Sequence, residues 1–249
     1  MSYETVTYEV ADHIATVTLD RPEVRNAFNP TMCDEFADVW QRVKADDDVR
    51  VVVLQANGAS FSSGIDVKDR AVAATNLYNA GDPGAKLGPK QAEVWKPVVT
   101  AVHGVAAGGA FYWINESDIL ICSPDAEFYD PHLSIGLTTS LTAIGMVRHG
   151  IALRDALRIA LLSSDERTSA DRALAIGLVS EIVETSQLRA RARQLATTIA
   201  AKAPAAVQGS VRAIWTSLDM NWAEARRWGL SHSALGNPVA RRQIDDGLT

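Results

Sequence analysis

The chain has 249 residues, of which 47% are hydrophobic and 22% charged, a composition that indicates a soluble globular protein and excludes the disordered and membrane-spanning classes. Its net charge of −6 comes without a cluster of Lys and Arg interleaved with aromatic residues, so we expect no nucleic-acid partner. No apolar run approaches the length of a membrane span and the first residues lack the pattern of a signal peptide, so we expect no membrane partner.

Three elements are predicted in the first part of the chain. Residues 3–10 and 13–19 alternate with β-branched residues around a short turn, which predicts an antiparallel hairpin. Asn29 followed by Pro30 is typical of a helix N-cap with proline in the first turn, and apolar residues at helical spacing continue to about residue 45. The short apolar run 51–55 then predicts a strand buried on both faces.

The same order of strand and helix returns in the middle of the chain. Residues 97–103 predict a second buried strand, followed by a glycine-rich turn and a helix from about Gly109. Residues 118–122 and 126–130 predict two more strands. Strands that alternate with helices imply right-handed crossovers and a mostly parallel core. The intervening residues 70–95 are rich in Gly and Pro, and we expect a mobile loop with a partial helix over a site.

The last part of the chain is predicted to be helical. From Leu153 onward the pattern is almost wholly that of helices, interrupted by the apolar segment 178–183. Asn237 followed by Pro238 predicts the start of one more helix. The residues after about 190 therefore form a helical appendage in this interpretation.

The two cysteines, Cys33 and Cys122, lie far apart among apolar residues. This is typical of buried reduced thiols and does not suggest a metal site. We therefore expect no bound metal and a reducing, cytoplasmic location.

Four stretches of the chain resemble the crotonase superfamily, also called the enoyl-CoA hydratase/isomerase superfamily, in its order and spacing. They are RPEVRNAFN (21–29), VVVLQANGASFSSGIDVKD (51–69), KPVVTAVHGVAAGGAFYWINESDI (96–119) and ALAIGLVSEIV (173–183). The resemblance implies an α/β fold, a spiral of ββα repeats with a C-terminal helical trimerisation region. Its core with the acyl-CoA site would span residues 1–190, and the helical region residues 191–249. The assembly it implies is a homotrimer or a dimer of trimers.

The resemblance also implies a coenzyme A thioester as substrate, with no separate cofactor. Family members hold the enolate oxygen with two backbone amides, which on the matching positions are those of Ile65 and Gly109. A developing oxyanion is stabilised by donors that already point at it, and losing one costs about 2.7–4 kcal/mol of barrier. Ile65 is bulkier than the residue usual in the family, and it is expected to narrow the acyl pocket.

The family places the coenzyme A phosphates and adenine near two of these motifs. The candidates here are Arg25, the backbone carbonyl of Ser63, and Lys68. An arginine can bind a phosphate through two parallel hydrogen bonds, which lysine cannot. A solvated surface role is the alternative for both Arg25 and Lys68, and Asp66 is interpreted as a residue that stabilises the turn.

Both glutamates that hydratases of the family use to activate water are replaced in this chain. Tyr112 and His132 stand at those positions, and Ser140 stands where some relatives carry a further acidic residue. A phenol with a pKa near 10 donates a proton more readily than it accepts one, whereas a histidine with a pKa near 6.5 suits both roles. Asp130 lies two residues before His132 and would orient its ring. We therefore expect His132 to transfer the proton and Tyr112 to donate a hydrogen bond to the substrate.

Three functions remain open at this point. The first is an acyl-CoA enzyme of the hydratase/isomerase kind that stabilises an enolate and uses Tyr and His in place of the two Glu. The second is a hydrolase of a C–C bond in a β-dicarbonyl compound, or of a thioester, in which His132 activates water. The third is an acyl-CoA binding protein without catalysis.

Overall fold

The protein's structure, a computed structural model, describes residues 3–69, 81–139 and 141–247. The strands found in these residues are β1 (Val6–Ala11), β2 (Ile14–Leu19), β3 (Val51–Ala56), β4 (Ser60–Ser62), β5 (Val98–Val102), β6 (Val105–Ala107), β7 (Ile119–Cys122), β8 (Glu127–Tyr129), β9 (Thr168–Ser169) and β10 (Glu181–Ile182). The α-helices found there are α1 (Pro30–Ala45), α2 (Phe111–Ile114), α3 (Leu141–Arg148), α4 (Leu153–Leu162), α5 (Ala170–Ala175), α6 (Leu188–Ala200), α7 (Pro204–Ser217) and α8 (Trp222–Asp245). None of these helices is long and apolar enough to cross a membrane.

The strands form two sheets that share a repeated unit. The larger sheet has the order β1-β2-β3-β5-β7-β10, and the smaller has the order β4-β6-β8-β9. The pairs β1/β2 and β8/β9 are antiparallel and the other pairs are parallel. In β3/β4, β5/β6 and β7/β8, the first strand joins the larger sheet and the second joins the smaller. The predicted α/β fold with a mostly parallel core and ββα repeats is therefore confirmed.

The predicted hairpin and first helix form for the reasons that the sequence indicates. Asp12 and His13, between β1 and β2, both have positive φ angles (53° and 63°), as the tight turns of twisted hairpins require. The Asn29 side chain accepts a hydrogen bond from the Met32 amide (2.9 Å) and so caps α1, whose first residue is Pro30. The start and end of α1 thus agree with the sequence prediction.

The strands β3, β5 and β7 are buried on both faces, which explains their continuous apolar runs. On one face Val51, Val99 and Ile121 form a cluster with Ala192 and Ala196 of α6. Small alanines let the helix approach the sheet closely. Part of the region assigned above to residues 191–249 therefore packs on the larger sheet, and the division of the chain after residue 190 stays a prediction.

One predicted helix is wrong, and a second is not found where the structure describes its residues. The helix expected to start at Asn237-Pro238 is the interior of α8, which begins at Trp222 and continues through Pro238. At the start of α8, a capping box of Asn221 and Glu224 satisfies the first free backbone amides. The helix then continues through Pro238 with the loss of one backbone hydrogen bond.

The partial helix expected in residues 70–95 is also absent from the part that the structure describes. Residues 81–95 consist of turns there, and Leu87 and Val94 are fully buried in the core. Glycine and proline break the helical hydrogen bonding, while these two apolar side chains attach the segment to the core. The prediction for residues 70–80 lies outside the described residues, as does Ser140.

Candidate active site

The loop after β4 and the turn after β6 meet because these two strands are parallel neighbours, so their carboxyl ends lie at the same edge of the smaller sheet. Gly64 has a φ of +93°, and an ideal Cβ on it would lie 2.9 Å from the Ala107 carbonyl oxygen and 3.0 Å from the Gly109 nitrogen. A side chain there would overlap backbone atoms. Glycine at position 64 is therefore what brings the Ile65 loop against the Gly109 turn.

The Ile65 amide is directed away from the strand-like contact that holds its loop. Phe28 donates its amide to the Gly64 carbonyl (2.8 Å) and accepts the Asp66 amide on its own carbonyl (2.8 Å). Because successive amides of an extended chain point to opposite sides, the Ile65 amide points away from Phe28. We find no hydrogen bond from the Ile65 amide to the rest of the described chain.

Gly109 lies in a 3-10 turn, Gly108–Ala110, rather than in the longer α-helix expected from the sequence. The α-helix that follows, α2, has only four residues. Amides in the first turn of a helix have no partner within it, and the Gly109 amide makes no hydrogen bond to another described residue. The Phe28 ring packs on the Cα of Gly109 and would overlap any side chain there. Two amides without an acceptor among the described residues thus border the contact between the two loops.

Asp130 and His132 form the pair that the sequence suggested. The His132 ring nitrogen Nδ1 contacts Asp130 Oδ1, and the His132 amide donates to the same oxygen (3.1 Å). The second carboxylate oxygen accepts the Thr139 hydroxyl. His132 has helical backbone angles (φ −55°, ψ −48°), so the pair comes from a tight turn rather than from the extended chain that the spacing suggested.

The surroundings of this pair set its charges. Burial raises the pKa of Asp130, but hydrogen bonds from His132 and Thr139 outweigh it, so the net pKa is below its ordinary value. The hydrogen bond to Asp130 raises the pKa of His132, against a smaller opposing effect of burial. Since Asp130 is ionised at neutral pH, His132 Nδ1 is the donor, and Nε2 of the neutral ring is left to exchange a proton.

The His132 ring lies beside the turn that carries Gly109. An ideal Cβ on Gly108 would be 3.2 Å from Pro131 Cδ and 3.8 Å from His132 Cε1. The Asp130 side chain is fully buried, while that of His132 is 32% exposed. The ring is thus held by a buried carboxylate on one side and is open on the other.

Tyr112 packs beside the same turn, and its hydroxyl is already bonded. It donates to the Asp82 carboxylate, and its ring lies against Gly84, where a side chain would overlap it. The Phe28 ring meets it edge-on, with centroids 5.9 Å apart. Burial raises the pKa of Tyr112, and the hydrogen bond and charge of Asp82 raise it further, so the phenol stays protonated at neutral pH.

The three candidates for coenzyme A binding lie on neighbouring loops. The Ser63 amide donates to the carbonyl of Arg25 (3.0 Å), which joins the loop of Arg25 to that of Ser63. Arg25 and Lys68 are both exposed. Asp66 accepts the amides of Lys68 (3.1 Å) and Asp69 (3.2 Å), so it is a turn residue, as expected.

Sequence reasoning missed several residues that shape this site, namely Phe28, Gly64, Asp82 and Thr139. Gly64 lies within the quoted stretch FSSGID, where its need for a positive φ is a signal that could have been read. Asp82 is 30 residues from Tyr112, and no local pattern connects the two.

Comparison with other proteins shows which family the chain resembles in sequence and fold. Residues 9–247 match the sequence pattern of a family described as enoyl-CoA hydratase/isomerase. The chain is 35% identical over 221 residues to an (E)-benzylidenesuccinyl-CoA hydratase of Thauera aromatica, a match that covers 86% of this chain and 84% of that protein. It is 32% identical over 225 residues to a mitochondrial Delta(3,5)-Delta(2,4)-dienoyl-CoA isomerase of Mus musculus, covering 84% of this chain and 68% of that protein. A crystal structure of an enoyl-CoA hydratase/isomerase from Mycobacterium paratuberculosis superimposes with a TM-score of 0.86 at 35% identity and covers 94% of this chain and 90% of that chain.

Proposed function

The chain belongs to the enoyl-CoA hydratase/isomerase family, and from this premise we propose that it binds an acyl-CoA thioester and stabilises its enolate between the Ile65 and Gly109 amides. The observation that carries the proposal is the close approach of the two loops at Gly64, with neither amide bonded to another described residue. Amides that are already oriented stabilise an oxyanion without reorganisation, and each is worth about 2.7–4 kcal/mol.

In this proposal His132 is a general acid or base that transfers a proton to or from the bound acyl group. Its ring lies against the Gly108 turn, and the buried carboxylate of Asp130 holds Nδ1. This contact fixes the tautomer that presents Nε2 and stabilises the imidazolium that forms when Nε2 takes a proton. The role of His132 as general acid or base and the role of Asp130 as its orienting group are thus supported by one arrangement.

The coenzyme A part of the substrate is proposed to bind along the loops of Arg25, Ser63 and Lys68. The two loops are joined by a backbone hydrogen bond, and both cations are exposed beside the oxyanion site. Arg25→Ala is therefore expected to raise KM for acyl-CoA and to leave kcat little changed, since a phosphate contact persists through the reaction. Equal KM values for Arg25→Ala and wild type would contradict this placement.

We further propose that the protein assembles as a homotrimer or a dimer of trimers. The helices α7 and α8 and the turn between them expose several large apolar side chains, namely Ile214, Leu218, Trp222, Leu230, Leu235 and Val239. Apolar surface of this kind favours an interface between protein chains. Light scattering is expected to give three or six times the chain mass of 26.8 kDa, and a monomer would contradict the proposal.

The test of the proposed function is binding and turnover of acyl-CoA. Calorimetry with a series of saturated acyl-CoAs is expected to show binding, and His132→Ala is expected to lower kcat on the true substrate by about 10²–10⁴-fold. His13→Ala is the matched control, because His13 is a partly exposed histidine on the hairpin, where it contacts the Asp48 carbonyl (3.0 Å). A folded protein that binds none of these thioesters contradicts the proposal.

Hydration of crotonyl-CoA is expected to be weak, since Tyr112 and His132 replace the two glutamates that hold the water in related hydratases. Loss of the absorbance of the conjugated thioester measures it. Turnover at a typical enzyme rate of about 10 s⁻¹ would show that the replacements activate water as well as carboxylates do.

A hydrolase of a C–C bond or of a thioester is the second candidate, and the Asp130–His132 pair is the observation that favours it. An aspartate paired with a histidine also acts as the general base in known hydrolases. Release of a free acid, or of coenzyme A thiol, distinguishes hydrolysis from the rearrangement of an enolate. Binding without any turnover would leave an acyl-CoA binding protein as the function.

A further inference from the structure

The hydroxyl of Tyr112 is bonded to a carboxylate from a distant part of the chain. Asp82 Oδ1 accepts it, and the Gly84 amide donates to the same carboxylate oxygen (3.0 Å). The absence of a side chain at Gly84 allows its backbone to lie directly on the Tyr112 ring. The turn at residues 82–84 thus covers one side of Tyr112 and directs its hydroxyl proton to Asp82.

Tyr112 is nevertheless close to the reacting position. It lies three residues after Gly109 and contacts the edge of the Phe28 ring, and Phe28 packs on Gly109. Since its proton is donated to Asp82, the phenol oxygen offers a lone pair, and no proton, to anything else that approaches it. This reverses the hydrogen-bonding direction expected from the sequence.

Neighbouring acidic groups are engaged elsewhere. Glu116 accepts the backbone amides of Lys90 (2.6 Å) and Gln91 (3.0 Å), and Cys33 donates to the Pro83 carbonyl (3.3 Å). Asp82 is exposed, so a proton that reaches it exchanges with solvent. Among the described residues, Asp82 is therefore the carboxylate that meets the Tyr112 hydroxyl.

We propose that Tyr112 and Asp82 form a proton relay that takes a proton from the α-carbon of the bound acyl-CoA, with Asp82 as the positioning residue that also receives the relayed proton. The inference rests on the proposed function, because it requires an acyl-CoA thioester in the site. In this relay the carboxylate of Asp82 replaces that of one of the two missing glutamates. It comes from the segment after residue 80 and not from the helix that carries Tyr112.

The step balances as follows in atoms and charge. The C–H bond at the α-carbon breaks and its proton joins the phenol oxygen, while the phenol O–H proton moves to the Asp82 carboxylate. The electron pair of the C–H bond forms the carbon–carbon double bond of the enolate, and the π pair of the carbonyl moves to the thioester oxygen, which the amides of Ile65 and Gly109 hold. The negative charge thus moves from Asp82 to the enolate oxygen, and the reverse step returns a proton from solvent to the same carbon.

The experiment measures exchange of the α-hydrogens of butyryl-CoA for deuterium in D₂O by nuclear magnetic resonance. A saturated thioester cannot be hydrated or isomerised, so exchange reports enolate formation alone. Asp82→Asn keeps an oxygen that accepts the Tyr112 hydroxyl but cannot take up its proton. We expect Asp82→Asn and Tyr112→Phe each to lower the exchange rate by about 10²-fold or more, and the double variant to lose no more than either one.

The matched control is Asp34→Asn, an exposed aspartate that pairs with Lys86 (2.6 Å) and makes no hydrogen bond to Tyr112, and it is expected to exchange at the wild-type rate. Calorimetry gives the affinity for butyryl-CoA, expected to be unchanged in Asp82→Asn. If Asp82→Asn binds butyryl-CoA and exchanges at the wild-type rate, the relay is wrong and the proposed function stands. If wild type binds but does not exchange, the relay is wrong as well. If wild type does not bind, the proposed function fails and the relay with it.

Discussion

Replacing Gly64 by alanine tests whether the contact between the two loops creates the oxyanion site. The residue has a φ of +93°, and its added Cβ would lie 2.9 Å from the Ala107 oxygen and 3.0 Å from the Gly109 nitrogen. Both neighbours are backbone atoms, which cannot rotate aside as a side chain can. The loops must therefore separate, and the Gly109 amide must move from its present position.

Two separate costs follow from this geometry. A non-glycine residue at a positive φ costs about 1–3 kcal/mol of folding free energy. An ordinary contact of a Cβ atom begins near 3.4 Å, so relief of the overlap moves the two loops apart by about 0.5 Å, enough to misalign one donor. Loss of one oxyanion donor lowers kcat by about 10²–10³-fold. We expect Gly64→Ala to lose both stability and activity.

Gly177→Ala separates these two effects. Gly177 has a similar φ of +79°, but nothing lies within 4 Å of its ideal Cβ, so this variant carries the backbone strain without the overlap. Urea unfolding measures stability, and turnover of the acyl-CoA substrate measures kcat. We expect both variants to be destabilised and only Gly64→Ala to lose kcat. Full activity of Gly64→Ala would refute the idea that the loop contact positions the amides.

Three further predictions concern charge and burial. The Asp130 hydrogen bond raises the pKa of His132 above 6.5, so the stabilisation from this proton is complete below pH 6.5 and is lost as the pH rises through the folded pKa. In urea unfolding, the free energies of wild type and His132→Gln are expected to converge as the pH rises through that pKa. A difference that stays constant with pH would contradict this. Burial raises the pKa of Cys33 to about 11 and that of Cys122 to about 12. A thiol reagent at pH 8 is therefore expected to label neither cysteine until the protein unfolds. Rapid labelling of the folded protein would disprove their burial. Asp118→Ala removes the carboxylate that pairs with the ammonium of Lys90, whose side chain is only 7% exposed. We expect this change to lower the free energy of unfolding, measured in urea, by about 3–5 kcal/mol. A loss below about 1 kcal/mol would show that water replaces the carboxylate.

Local patterns were enough to predict most of the fold. The Asn29 cap with Pro30 defines the start of α1, because a side-chain acceptor and a residue without an amide suit the first turn of any helix. The apolar run 51–55 predicts a strand covered on both faces, because only burial on both sides makes such a run favourable. At Asn237-Pro238 the local pattern was misleading, because α8 begins at the Asn221/Glu224 capping box and continues through the proline.

The candidate site divides in the same way. The resemblance of four stretches to the family indicated Ile65, Gly109, Tyr112 and His132, since each stands at a position that matches a functional position of the family. The direction of the Tyr112 proton was decided only by tertiary structure, because Asp82 reaches it from 30 residues away through a turn of no regular periodicity. Sequence spacing shows which side chains share an element. The hydrogen bond between Tyr112 and Asp82 joins two distant segments, so it depends on how the elements that carry them pack together.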